Sequence, residues 1–129
     1  MFLSSLSKIQ RETFLRLAYN VVVSDGELTV GEEIMMEEMR VEMSIDSSFV
    51  PEYLELDGIE ETFPDRKSRV TVLIALIQLG YADGAFEIEE QSFLRVLCQS
   101  FELSEEEFAF IDNWVKRLIS LQKEARDFM

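Results

Sequence analysis

Residues 14–39 read FLRLAYNVVVSDGELTVGEEIMMEEM, and residues 72–97 read VLIALIQLGYADGAFEIEEQSFLRVL. At an offset of 58 residues, Asp25-Gly26 aligns with Asp83-Gly84. Each copy contains an apolar helical stretch, an Asp-Gly turn, a short acidic loop and a second helical stretch. A period of this length with the same turn residues indicates two copies of one supersecondary unit. This duplication sets the fold, because each unit can bury its apolar side only against the other.

The composition favours one helical domain. The chain has 129 residues, of which 47% are hydrophobic, and this suits a single core. Only five Gly and two Pro interrupt it, and few β-branched runs occur. We therefore predict an all-α fold, a compact bundle of six to seven helices in one domain spanning residues 1–129. The predicted parts are pseudo-symmetric helix–turn–helix units at about 7–43 and 65–101, a connector at 44–64, and a C-terminal helix at about 104–123.

Short side chains that can cap a helix mark the predicted helix starts. The pattern of Ser or Thr followed three residues later by Glu or Gln is a capping box. It occurs at Ser7 with Gln10, at Thr29 with Glu32 and at Ser104 with Glu107, and Asp65 is a fourth cap. The Asp-Gly pairs are predicted to end the preceding helices, because Gly adopts the left-handed conformation without strain.

Outside the two units the prediction is less regular. Residues 1–7 are expected to form a short tail. Within the connector, Pro51 suits a first helical turn, so we predict a short helix from Pro51 to about Leu56. A second short helical turn is predicted at Ile59 to Phe63.

Four methionines follow the first corner at helical spacing. Met-rich faces can be adaptable binding surfaces, but the repeat favours another interpretation. At the 58-residue offset the methionines align with large apolar residues, which predicts that they belong to the core. The aligned sets are Met35, Met36, Met39 and Met43 in the first copy and Phe93, Leu94, Leu97 and Phe101 in the second.

The charge is strongly negative and unevenly distributed. The net charge is −14, and residues 25–61 contain thirteen acidic side chains against one basic residue, Arg40. Such a field repels phosphate backbones and argues against a nucleic-acid partner. It favours either a divalent cation or a basic protein surface. A highly acidic surface also keeps a small protein soluble, and this simpler interpretation stays open.

Several classes of chemistry lack the residues they need. The chain has no His and one Cys, Cys98, so a His-based triad, a Cys–His pair and an ordinary zinc site are excluded. A carboxylate hydrolase would need two carboxyls held around a cleft, which nothing in the repeat requires. We therefore predict no enzymatic activity. A single cysteine, the absence of a long apolar run and the lack of a signal-peptide pattern favour a cytoplasmic protein without membrane insertion.

Carboxylates are the clustered polar groups of the repeat, and oxygen ligands suit Ca²⁺ or Mg²⁺. The candidate ligands are Asp25, Glu32, Asp83 and Glu90. Each loop matches the second half of a calcium-binding EF-hand loop, but the positions of the first two ligands are apolar or aromatic: Val21 and Val23, and Leu79 and Tyr81. Two interpretations remain. The carboxylates hold a divalent cation, or each Asp ends one helix and each Glu caps the next.

The doubled pattern resembles the TerB-like family, named for tellurite resistance protein B. The residues that carry the resemblance are 23–26 with Glu32 and 81–84 with Glu90, together with the Asp65-Arg66 helix start and the turn at 103–106. The resemblance extends over about residues 7–121. One departure is Ser24, which stands where the family usually has Ala, and another is that the loops carry no further Asp.

The resemblance implies both a fold and a role. The fold is an all-helical domain of about seven helices with approximate internal two-fold symmetry. The role is a bacterial, cytosolic one in metal or oxyanion stress, as an accessory or scaffolding protein associated with a membrane-bound complex. It also implies that acidic residues of the repeat bind a divalent cation. The alternative is an acidic protein–protein adaptor without a metal, as in the similar domains that precede membrane-tethered J-domain co-chaperones.

Overall fold

The structure, a computed structural model, describes residues 1–24, 26–84 and 86–129. These residues form α1 (Lys8–Val23), α2 (Val30–Glu42), α3 (Ile59–Thr62), α4 (Arg66–Gly80), α5 (Ile88–Ser100) and α6 (Glu105–Asp127), and a short 3-10 helix (Leu3–Ser5) precedes them. Within the described ranges no strand is present. The predicted all-α bundle of six to seven helices is confirmed.

The core lies around α4. This helix is apolar on almost every side, and it packs against α1, α2, α5, α6 and the 3-10 helix. A helix without a polar face is the one a small bundle places at its centre. α1 lies against α4 and buries Phe14, Leu17, Ala18 and Val21 along one stripe. The first helices of the two units thus pack on each other.

The predicted helix starts are confirmed. The side chains of Ser7, Thr29, Asp65 and Ser104 each accept the backbone N–H three residues later. These bonds satisfy N–H groups that a helix leaves without an intrahelical partner. The predicted corner is also confirmed for Gly26 and Gly84, whose φ values of 79° and 94° lie in the left-handed region. Asp25 lies outside the described residues.

The prediction of a helix from Pro51 to Leu56 was wrong. These residues have no regular secondary structure, and side chains of α1 form hydrogen bonds with their backbone groups. Asn20 donates to the Leu54 carbonyl at 2.7 Å and accepts the Leu54 N–H at 3.0 Å. Arg16 donates to the carbonyls of Glu52 and Tyr53 at 3.1 and 3.0 Å. A backbone satisfied by these side chains gains nothing from forming a helical turn.

The expected tail at residues 1–7 is also corrected. Leu3 and Leu6 are buried, and residues 3–5 form the 3-10 helix. The Glu42 carboxylate accepts the Leu3 N–H at 2.9 Å and pairs with the Met1 ammonium at 2.5 Å. The start of the chain is therefore fixed to the end of α2.

Two arginines make the same kind of contact in the two units. Arg11 donates to the backbone carbonyls of Leu6, Met43 and Ser4 at 2.8, 2.9 and 2.6 Å. Arg69, at the 58-residue offset, donates to the carbonyls of Phe63, Phe101 and Glu60 at 2.6, 3.0 and 3.0 Å. Met43 and Phe101 are also separated by this offset. Each guanidinium thus joins the first helix of its unit to the end of the second.

The ends of α2 and α5 also correspond. Ser44 and Glu102 have left-handed φ values of 55° and 60°, and the following residues donate back to the carbonyls of Arg40 and Cys98, both at 3.0 Å. This backbone bond is the one that ends a helix in a Schellman motif. Local contacts therefore recur at the repeat offset. A rotation axis that relates the two whole units stays a prediction.

The methionines of α2 divide between the core and its edge. Met39 and Met43 are buried, whereas Met35 and Met36 are half-buried and pack against the core. The prediction that the methionines belong to the core is thus confirmed for Met39 and Met43. The other two keep part of their surface in solvent.

Candidate functional site

Glu32 and Glu90 occupy equivalent positions of the two units, 58 residues apart. They lie in the first turns of α2 and α5, and both are buried. The Thr29 N–H donates to Glu32 Oε1 at 2.9 Å, and the Glu87 N–H donates to Glu90 Oε1 at 3.2 Å. Both carboxylates thus close the start of their own helix. The interpretation of each Glu as a helix cap is confirmed, and whether either one also binds a cation is a separate question.

The structure describes only one of the two corner aspartates. Asp83 is exposed, and Asp25 lies outside the described residues. The start of α2 lies against the second corner, because a Cβ on Gly31 would come within 2.7 Å of the Ala82 carbonyl oxygen. Among residues 1–24, 26–84 and 86–129, no three His, Cys, Asp or Glu side chains lie close enough to hold a metal ion. A site built from Asp25, Glu32, Asp83 and Glu90 therefore stays a prediction.

The side of α2 that faces solvent carries a feature that the sequence analysis missed. Val30, Ile34 and Val41 are 71%, 56% and 69% exposed. Their spacing of four and seven residues places them on one side of the helix. Exposed acidic residues lie on both sides of this apolar stripe. We define the α2 outer face as Val30, Ile34 and Val41 with Glu33, Glu37 and Glu38.

Little positive charge offsets the α2 outer face. Arg40 is the nearest basic residue on the helix, and its side chain is mostly buried. Its guanidinium donates to the Asp46 carbonyl at 2.7 Å and lies 3.7 Å from the Glu37 carboxylate. The Glu37 side chain remains 66% exposed. The face therefore offers an apolar stripe with a negative border.

The equivalent side of α5 has a different character. Ser92 and Gln99 occupy the positions of Ile34 and Val41, and Arg95 stands at the position of Glu37. Arg95 lies 3.8 Å from Glu105 and 5.1 Å above the Phe108 ring. Two exposed apolar residues remain on α5, Ile88 and Val96. This side is thus mainly polar and carries a cation where α2 carries an acid.

Two titratable side chains of the second unit are held in their neutral forms. Burial, followed by the charges of Glu105 and Glu107, raises the pKa of the Cys98 thiol to about 11. Burial and a 2.7 Å hydrogen bond from the Tyr81 hydroxyl to Asp112 Oδ1 raise the pKa of Tyr81 above its usual value. Thiolate is the nucleophilic form of cysteine, so Cys98 is a weak nucleophile at neutral pH.

Comparison with known proteins bears on the second unit. Residues 55–113 match the family model described as tellurite resistance protein TerB. The match supports a TerB-like family assignment. The TerB-like match runs from the end of the connector through α3, α4 and α5 into α6, so α2 and its outer face lie outside it. The comparisons with curated proteins and with solved structures gave no match.

No helix among the described residues is both long enough and apolar enough to cross a membrane.

Proposed function

We propose that this chain is a non-enzymatic TerB-like adaptor that binds a basic, amphipathic helix of a partner protein on the α2 outer face. The observation that carries the proposal is the exposed stripe of Val30, Ile34 and Val41 with its acidic border. In line with the TerB-like resemblance, the adaptor would serve a bacterial, cytoplasmic response to metal or oxyanion stress. Its partner would belong to a membrane-bound complex.

The apolar stripe supports a docking role because its three exposed residues lie on one side of the helix. Single exposed apolar residues are normal on a protein surface, whereas an aligned group with a polar rim is typical of an interaction site. Three residues spread over three helical turns match the way an amphipathic helix lies along a groove or a second helix. The stripe therefore favours a helical partner over a small ligand.

The acidic border supports a basic partner. Glu33, Glu37 and Glu38 surround the stripe, and residues 25–61 carry a single basic residue. Opposite charges at the rim of an interface speed association and reject wrongly charged partners. Lys or Arg residues beside the apolar side of the partner helix would complement this rim. The same field disfavours nucleic acid.

A second proposal is that Asp25, Glu32, Asp83 and Glu90 bind Ca²⁺ or Mg²⁺. Its support is the pair of buried carboxylates, Glu32 and Glu90, at equivalent positions of the two units. Buried carboxylates occur mostly where they are paired, hydrogen-bonded or bound to a metal. Here a helix N–H already occupies one oxygen of each, so capping is the use with direct support.

Paired surface variants test the adaptor proposal. Ile34→Ser with Val41→Ser removes the apolar stripe from α2, while Ile88→Ser with Val96→Ser removes exposed apolar residues from α5. A partner captured from source-cell lysate is then purified, and its binding is measured with the wild type and both variants. We expect the α2 variant to lose binding, the α5 variant to keep it, and added salt to weaken it.

Other results would overturn the adaptor proposal. Equal binding by the two variants would place the interface elsewhere. A bound segment without basic residues would contradict the charge argument. Concentration-dependent self-association that the α2 variant abolishes would show that the face binds a second copy of this chain instead.

Calorimetric titration with Ca²⁺ and Mg²⁺ tests the second proposal. Saturable heat that disappears in the Asp25→Asn, Asp83→Asn double variant would support it. No saturable binding up to roughly millimolar ion, the weak end of calcium modules, would leave the two glutamates as helix caps alone.

A further inference from the structure

A groove of about 540 Å³ is lined by residues of α2 and of the end of α6, together with Gln78 of α4. Four of the chain's six methionines line it. Met35 and Met39 come from α2, Met1 from the start of the chain and Met129 from the residues after α6. The groove adjoins the α2 outer face at Glu38, but Met35 and Met39 lie on another side of the helix from Val30, Ile34 and Val41.

Thioether sulfur is a soft, neutral, polarisable donor. Soft donors of this kind select Cu(I) and related ions over Ca²⁺ and Mg²⁺, which prefer oxygen. A thioether needs no deprotonation, so it can bind a metal at any ordinary pH. Several methionines around one groove therefore form a potential site of a different class from the carboxylates of the repeat.

The two α2 methionines are held in position by packing. They are four residues apart, so they are neighbours on the helix surface. Met39 is almost completely buried, and Met35 is half-buried against the core. Met1 is held near them because its ammonium pairs with Glu42, one turn beyond Met39. Three methionine side chains thus line the groove on elements that the fold already fixes.

Charge at the groove is close to balanced. Glu38, Glu42 and Arg126 also line it, and the Met1 ammonium pairs with Glu42. A divalent cation would find little net attraction here. Affinity for a soft ion would have to come from the sulfur atoms themselves.

We propose that this groove binds one Cu(I) or Ag(I) ion through the thioethers of Met35 and Met39, with Met1 or Met129 completing the ligands. The second unit offers no equivalent, because Phe93 and Leu97 stand at the positions of Met35 and Met39. The site therefore belongs to the first unit alone. Its proposed ligands are thioethers and include none of the carboxylates of the α2 outer face.

Anaerobic competition for Cu(I) against a coloured chelator tests the site. The wild type is expected to withdraw one Cu(I) per chain from the chelator. Met35→Leu with Met39→Leu should abolish this, because Leu keeps the apolar volume and removes the sulfur. The matched control is Met36→Leu with Met43→Leu, which alters one methionine of α2 and the methionine just after it, neither of which lines the groove. This control should bind as the wild type does.

Ag(I) titration gives a second, independent readout. In a chain with labelled methionine methyl groups, Ag(I) should shift the resonances of Met35 and Met39 together with Met1 or Met129, and Ca²⁺ should shift none of them. The proposal is overturned if Cu(I) binding is absent. It is also overturned if the control variant loses binding as fully as the groove variant, or if the shifts fall on Met36 and Met43.

Discussion

The two return helices, α2 and α5, agree on their inner sides and differ on their outer sides. Both begin with a buried Glu that accepts a backbone N–H, and both end with a left-handed residue and a bond back to an earlier carbonyl. Their solvent sides share an exposed apolar residue at the start, Val30 and Ile88, and then differ in charge and polarity. Packing constrains the inner side of each helix to similar contacts, whereas the outer sides are constrained less. The difference therefore points to the first unit as the one with a specialised surface.

The family match follows the same division. It covers α3, α4 and α5, and it does not reach α2. Both proposed binding surfaces, the outer face and the methionine groove, involve α2. The contrast between the units can be tested at three pairs of equivalent positions. In each pair, one residue makes contacts that its counterpart in the other unit lacks or makes in smaller number.

The largest effect on stability is expected when either of the two arginines is replaced. Arg69→Ala should lower the free energy of unfolding by about 3 kcal/mol, because three backbone carbonyls lose a charged donor. Arg11→Ala should cost less, about 2 kcal/mol, because its bond to Ser4 is exposed and it lacks the Phe101 ring that lies 5.8 Å from Arg69. Urea unfolding of the two variants measures both values.

Lysine at the same positions provides the control. An ammonium cannot reach three separated carbonyls as the guanidinium does, so Arg69→Lys should recover only part of the loss. If Arg11→Ala lowered the free energy of unfolding more than Arg69→Ala, the burial of these hydrogen bonds would not determine their contribution to stability.

A smaller effect is expected at Asn20 and its counterpart Gln78. Asn20→Ala should cost about 2 kcal/mol, because it leaves the N–H and C=O of Leu54 without their buried partner. Gln78→Ala should change stability by no more than about 0.5 kcal/mol, since no comparable pair of backbone bonds is made there. Thermal or urea unfolding compares the two. Equal costs would show that the connector does not depend on Asn20.

The sequence predicted the helices and their starts because these follow from local rules. A cap such as Thr29 needs only the N–H of a residue three positions later, and both belong to the same stretch of chain. The left-handed corners at Gly26 and Gly84 are equally local. Periodicity and capping therefore gave the correct fold class without any knowledge of which helices touch.

The sequence failed where distant residues decide the structure. The non-helical stretch after Pro51 is bonded to Asn20 and Arg16, which are more than thirty positions away. The α2 outer face was missed because apolar residues at helical spacing usually indicate a core, and only the packing shows which side faces solvent. The candidate cation ligands pose the same problem, since nothing local shows whether the two corners meet.

The smallest effect concerns Cys98 and its counterpart Arg40. Both lie at the same place near the end of a return helix: Arg40 donates to the Asp46 carbonyl, and the Cys98 sulfur lies 3.9 Å from the Ser104 carbonyl. The raised pKa of Cys98 means that the folded state holds its proton more tightly than the unfolded state. Below the ordinary thiol pKa of 9.0 this contribution to stability is complete, and it is lost as the pH rises through about 11.

The stability that the protonated Cys98 thiol contributes can be isolated by comparing the wild type with Cys98→Ala. The urea midpoints of both proteins are measured from below pH 9.0 to about pH 11. Tyr81 also has a raised pKa, but it is present in both proteins and cancels in the comparison. The wild type should lose stability more steeply than the variant as the pH rises above 9.0. Parallel curves would show that the Cys98 thiol ionises as readily in the folded chain as in the unfolded chain. Cys98 would then react with alkylating reagents more readily than its burial implies.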